Sequence, residues 1–143
     1  MATTTALYTP QVLALATALA GYAPRPDLPL HGTARSLACG SSLTLDLEVT
    51  GGAISAIGIG AHACAIGQAA AAIFAGNAIG QDRAAIAATL AALEQWLAGA
   101  GAMPAWPVLD AIAAARDFPG RHGAMLLPWK AALDALSSPA KPS

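Results

Sequence analysis

Two cysteines have the strongest claim to chemistry in this 143-residue chain, and each lies in a local sequence that would expose or activate a thiol. Cys39 stands in ACGSS just ahead of a strand pattern, where Gly40 lets the backbone turn sharply and leaves the sulfur unshielded. Cys64 stands in HACAIGQ, where a strand pattern gives way to a helical one. A thiol at a helix N-terminus faces free N–H groups and the positive end of the helix dipole, which favours the thiolate. Thiolate is the form that binds metal or attacks sulfur. A single free cysteine is often only a small buried hydrophobe. A thiol at a strand-to-loop junction and another at a helix start could, however, converge at one end of a small sheet.

The elements that would position them follow from periodicity. Ser42 to Thr50 reads SLTLDLEVT, with Leu43, Leu45, Leu47 and Val49 on one side and Thr44, Asp46 and Glu48 on the other, the alternation of a half-buried strand. Gly51 and Gly52 supply a tight hairpin, and Ala53 to Gly60 returns as a weaker antiparallel strand. Upstream, Thr9 and Pro10 open a helix running to about Ala20; Gly21 and the proline-bearing stretch Ala23 to Pro29 stop it, and a polar connector follows. Downstream of Cys64 a helix is expected over Ala65 to Ala75, closed by Gly76 and Asn77. A longer one is expected over Asp82 to Ala98, with Ile86, Leu90, Leu93 and Leu97 at helical spacing and Gly99 as its stop. Pro104 and Pro107 mark a turn, Pro107 to Arg116 a further helix and Phe118 to Gly123 a loop. Pro128 opens a last helix carrying Trp129, Leu133 and Leu136, and residues 137–143 form a flexible tail. The expected fold class is α+β, one domain over residues 1–143, with a small antiparallel β-sheet covered by helices.

Composition narrows the function classes. The chain is 56% hydrophobic and 10% charged, which favours a packed core over disorder. Seven basic against eight acidic residues, with a net charge of -1, leave no stripe of Lys and Arg for phosphate backbones or anionic lipid, so no nucleic acid partner is expected. The apolar run Val12 to Ala20 ends in Ala-Leu-Ala as a signal peptide might be imagined to, but Met1 to Thr9 carries no Lys or Arg. Val49 to Gln81 contains no charged side chain, yet Gly51, Gly52, Gly58 and Gly60 break it and His62, Gln68 and Asn77 interrupt it, so it reads as soluble and no membrane span is expected. With two cysteines and no export signal, the expectation is reduced thiols in a cytoplasmic protein.

Read together, ACGSSLTLDLEV, GAHACAIGQAA and RHGAMLLPWKAAL resemble, in order and spacing, the three signature blocks of the NifU, IscU and SufU type iron-sulfur cluster assembly scaffolds. In that family Cys-Gly-Asp precedes an alternating strand, a Gly-Cys-Ala-Ile-Ser block starts a helix, and an Arg-x-x-Cys-x-x-Leu-x-Trp block precedes the last helix. Arg121, Leu127 and Trp129 carry the third match. The resemblance implies the scaffold fold, a carrier rather than an enzyme, iron or an iron-sulfur cluster held through Cys39 and Cys64, and partners in a cysteine desulfurase and apo iron-sulfur proteins.

The departures bear on the chemistry. Ser41 stands where the family has an aspartate that can also bind metal, and Ala124 stands where it has a third cysteine. By resemblance that third thiol is both a cluster ligand and the recipient of sulfur from the desulfurase. A [2Fe–2S] cluster needs four protein ligands and zinc wants four N or S donors, so two thiolates are too few. His62, two residues before Cys64, and His122, two before Ala124, are candidate additional ligands. A homodimer in which each chain gives Cys39 and Cys64 to a shared four-thiolate site is the other route. Two alternatives accompany the scaffold reading: a zinc-binding or persulfide-accepting sulfur-transfer partner of a desulfurase, and a degenerate scaffold fold that acts only by binding protein. Ser41 reads as a turn or strand-edge hydroxyl, Arg121 as a carboxylate partner or helix cap, and Trp106 and Trp129 as packing residues.

Overall fold

The alternation of Ser42–Thr50 becomes the central strand of the protein in a computed structural model that describes residues 7–137. Strands β1 (Leu30–Arg35), β2 (Ser42–Thr50) and β3 (Ala53–His62) form one antiparallel sheet in the order β1-β2-β3. The β2–β3 hairpin turns on Gly51 and Gly52, at φ +63° and +83°, a left-handed pair that glycine adopts freely. Leu43, Leu45 and Leu47 of β2 point inward and are buried, with Ile54 and Ile59 of β3 beside them. The expected hairpin is therefore present, and β3 runs two residues beyond Gly60 to His62.

β1 lies in the stretch read from sequence as a polar connector. LHGTAR has no hydrophobic alternation; its strand conformation comes from pairing with β2 and from α4 (His122–Ser137), which covers it. A Cβ on Gly32 would collide with the Ala131 carbonyl and the Ala135 amide of α4, so only glycine permits that approach. The Asp134 carboxylate accepts the Thr33 N–H at 2.9 Å, which occupies a donor the edge strand would otherwise leave unpaired.

Helix α1 (Pro10–Ala18) starts as expected: the Thr9 hydroxyl accepts from the Val12 N–H at 3.1 Å, and a 3-10 turn (Leu19–Tyr22) ends it. α2 (Ala65–Ala78) runs three residues past the expected end, and its alanine-rich stretch Ala69–Ala72 is buried. α3 (Arg83–Leu97) is capped by Asp82, which accepts the Ala85 N–H at 2.8 Å, and Gly99 follows it at φ +88°.

Two expectations near the C-terminus are corrected. The expected helix from Pro107 is a 3-10 segment (Leu109–Asp117) kinked at Ile112, entered through a turn in which Val108 sits at φ +67°. The expected loop Phe118–Gly123 is a 3-10 turn (Pro119–Arg121) that leads straight into α4, so Pro128 lies inside the last helix and does not open it. Packing outweighs the breaker here, because Ala124 to Trp129 are all buried and together anchor that first half of the helix in the core. Trp106 and Trp129 pack as expected: Phe74 stacks on Trp106 at 5.4 Å and meets Trp129 edge-on at 5.4 Å, while the Trp106 indole N–H donates to the Ile73 carbonyl at 3.0 Å. Of the expected tail, Ser137 is the last residue of α4 and residues 138–143 lie outside the described residues. No helix among the described residues is long and apolar enough to cross a membrane.

Candidate functional site

β2 begins where β1 and β3 end: Ser42 pairs with Arg35 on one side and His62 on the other. This register places the β1–β2 connection and the β3–α2 junction at the same end of the sheet. Cys39 rides on the first and Cys64 on the second. The connection is closed by the Ser36 N–H donating to the Ser41 carbonyl at 2.8 Å and the Gly40 N–H to the Ser36 carbonyl at 2.9 Å. Gly40, at φ +70°, makes the reversal that residues with a Cβ rarely adopt. Cys64 is the N-cap of α2, and its carbonyl accepts the Gln68 N–H at 2.9 Å.

One hydroxyl ties the two cysteines together. The Cys39 thiol donates to the buried Ser41 hydroxyl at 3.1 Å, and the Cys64 N–H donates to the same oxygen at 3.4 Å. The Cys39 thiol also reaches the buried Ser36 hydroxyl at 3.4 Å. Both cysteines, with Ser41, Ala61, His62 and Gln68, line one open cavity of about 440 Å³. The convergence expected from the two local sequences is therefore present.

The electrostatics favour ionisation at Cys39. Burial raises its pKa, but hydrogen bonding with Ser36 and with the side chain and backbone of Ser41, together with the charge of Arg121, outweighs that and holds the thiol below its usual range. Arg121, in the turn before α4, is held protonated first by a hydrogen bond to Tyr8 and then by its proximity to Cys64 and Cys39. Its buried Nε has no hydrogen-bond partner among the described residues. The residue that the sequence offered as a carboxylate partner or helix cap instead supplies a positive charge felt at the thiols, from outside the cavity they line.

The candidate ligands separate. His62 is exposed at the end of β3 and lines the cavity with the thiols. His122, in the first turn of α4, has its Nε2 2.6 Å from the Arg116 carbonyl, and it does not line that cavity. Since a carbonyl only accepts, that nitrogen carries the proton. Ala124 is fully buried under α2: a Cβ built on Gly67 would lie 3.5 Å from the Ala124 Cβ, one turn along the helix that Cys64 caps. Among the described residues no three His, Cys, Asp or Glu side chains are grouped to hold a metal ion. Sequence reasoning passed over Ser36 and Gln68. The signal for Ser36 was a second serine three residues before Cys39, but only the closed loop makes that spacing a hydrogen bond.

No family model matches the sequence, and no curated protein matches it. Solved structures do. The N-terminal domain of a nitrogen-fixing NifU-like protein from Brucella abortus superposes with a TM-score of 0.80 at 26% identity, over 92% of each chain. A protein from Fervidobacterium islandicum, assigned as an iron-sulfur cluster assembly scaffold for the SUF system, gives 0.80 at 21% identity over 92% of this chain and 97% of its own. A hypothetical protein gives 0.69 at 17% identity over 89% of this chain. Both the α+β architecture and the likeness read from the three sequence blocks hold, and over 92% of its length this chain has the fold of the NifU-like and SufU-type scaffold proteins.

Proposed function

We propose that the protein is a scaffold or carrier in iron-sulfur cluster assembly, holding iron or a nascent cluster as cargo through Cys39 and Cys64, and that it works in the cytoplasm without catalysing turnover. The observation that carries this reading is the pair of thiols, 25 positions apart in sequence, joined through the Ser41 hydroxyl at the mouth of one cavity. Thiolates are the ligands that iron-sulfur clusters take most often, and Arg121 offsets the negative charge that two of them bring to the site. The Fervidobacterium islandicum neighbour is an iron-sulfur cluster assembly scaffold for the SUF system, which supports this role; by family resemblance the sulfur donor is a cysteine desulfurase and the recipients are apo iron-sulfur proteins. The test is anaerobic purification with assay of iron, zinc and acid-labile sulfide, followed by absorption spectra of wild type, Cys39→Ser and Cys64→Ser. Iron and sulfide that depend on both cysteines support the carrier role; a colourless, metal-free wild type after loading sinks it.

A second reading has its own observation. Cys39 sits on an exposed loop with its thiol donating to two hydroxyls that can turn to stabilise the thiolate, a setting suited to accepting a persulfide sulfur from a desulfurase. Zinc near one equivalent, with sulfide absent and a persulfide trapped on Cys39, would select this reading over cluster carriage. Unchanged client binding in a Cys39→Ser, Cys64→Ser double variant would select a purely protein-binding module.

A further inference from the structure

The end of the sheet that carries the thiols has a second cavity on its outer face. A Cβ on Gly32 would run into α4, so Gly32 faces that helix and the alternate positions Thr33 and Arg35 face away from it. The register sets Arg35, Ser42 and His62 side by side across the three strands, with Thr33 and Thr44 paired in the next row of the same face. Thr33, Arg35, Ser42 and Thr44 line a cavity of about 460 Å³ that no Asp or Glu lines. The Thr44 hydroxyl donates to the Gly60 carbonyl at 3.3 Å, which draws it towards β3 and leaves the β1 side open. Arg35 is exposed and forms no ion pair among the described residues. Asp134, which accepts the Thr33 N–H, does not line this cavity. Ser42 follows Ser41 and pairs with His62, and both of those line the thiol cavity, so the two cavities adjoin at the first residue of β2. The thiol cavity is open and has two protein thiols, whereas an iron-sulfur cluster takes four ligands.

We infer that the outer cavity is a carboxylate subsite for a low-molecular-weight thiol: Arg35, with the Thr33 and Ser42 hydroxyls, grips the carboxylate, and the sulfur reaches the adjoining cavity to ligate the cargo held by Cys39 and Cys64. This rests on the carrier reading above and names the source of the sulfur ligands that two protein thiolates do not supply. One guanidinium matches one carboxylate, with two parallel N–H bonds and balanced charge, and the two hydroxyls add donors beside it. A thiol tripeptide such as glutathione extends to about 10 Å, enough to lie across two adjoining cavities. On ligation a thiolate sulfur replaces a water on iron, the thiol proton passes to the buffer, and the iron keeps its valence.

The subsite is read first on the metal-free full chain with S-methylglutathione, which keeps the carboxylates but has no thiolate to give. In an NMR titration the amides of Thr33, Arg35, Ser42 and Thr44 should shift. Arg35→Ala, at an exposed strand end, should keep its circular dichroism and bind about tenfold more weakly. Arg35→Lys, which keeps the charge and loses the fork, should fall between the two. Inorganic phosphate binding as tightly as S-methylglutathione, or no shift at these four amides, would overturn the carboxylate assignment. The chain is then loaded anaerobically with ferrous iron and sulfide in glutathione or in cysteamine, a thiol without a carboxylate, and the thiol retained per iron is counted after desalting. Glutathione should stay with the iron on wild type and fall about tenfold on Arg35→Ala, while cysteamine retention should not depend on Arg35. Iron bound without glutathione, or equal glutathione on Arg35→Ala and wild type, would overturn the subsite and leave the carrier reading intact. No iron uptake by wild type in either thiol would overturn both.

Discussion

A hydroxyl that accepts from the Cys39 thiol at 3.1 Å and from the Cys64 N–H at 3.4 Å has one way to respond when Cys39 ionises: its own proton swings to the sulfur while the Cys64 N–H continues to donate. Ser41 therefore relays the polarity of the α2 N-terminus to a thiol that is not on the helix. Cys39 has its folded pKa depressed, so its contribution to stability is present above the pKa of the unfolded thiol, about 8.5, and is lost as pH falls through the folded value. Urea unfolding of wild type and Cys39→Ser under reducing conditions should show the wild-type advantage growing from neutral pH into the thiol range. A difference independent of pH would remove the thiolate from the account. Ala124 supports a second expectation at this scale. A thiol placed there would lie by the first turn of α2, so Ala124→Cys should hold iron more firmly. The cost in stability should be about 1 kcal/mol for crowding a buried position beside Gly67. Iron retention against a chelator, compared between Ala124→Cys and wild type, checks it.

Among the elements, β1 and α4 determine where Cys39 ends up. β1 is short and polar and sits at the edge of the sheet; it stays in place because α4 lies directly on Gly32 and Asp134 satisfies Thr33. The connection that bears Cys39 begins at its last residue, so a displaced β1 would carry the thiol away from Cys64. Gly32→Ala should cost more than about 2 kcal/mol, because the added carbon meets main-chain atoms that cannot rotate aside. Denaturant titration gives that number, and alkylation of Cys39 and Cys64 before unfolding reports whether the site opens first. If the variant is as stable as wild type, the close approach of strand and helix does not hold the site.

For the molecule as a whole, Phe74, Trp106 and Trp129 join α2, the segment ahead of the 3-10 helix, and α4 at the back of the sheet, and through α2 and α4 they support both Cys64 and Ala124. Trp129 is fully buried, and its replacement by alanine should cost about 3–5 kcal/mol, a large share of the stability of a domain this size. Loss of near-UV circular dichroism together with loss of iron binding would show that core and site are coupled. Retained near-UV signal and unchanged iron binding would show that the cavity is built by the sheet end alone.

Local chemistry was enough to place much of this in advance. Leu43, Leu45 and Leu47 declare which face of β2 is buried, Thr9 announces the helix it caps, and Gly51 with Gly52 can hardly be anything but a hairpin, because each signal acts between residues a few positions apart. The thiols could likewise be nominated from their neighbours. Their meeting could not, nor could the roles of Ser36 and Arg121. β1 owes its strand conformation to partners elsewhere, among them a carboxylate 101 positions away. α4 starts at His122 because burial of its first turns outweighs the proline within them. Such terms exist only once distant segments are packed together, and they decide that two cysteines, a shared hydroxyl and one arginine become a single site.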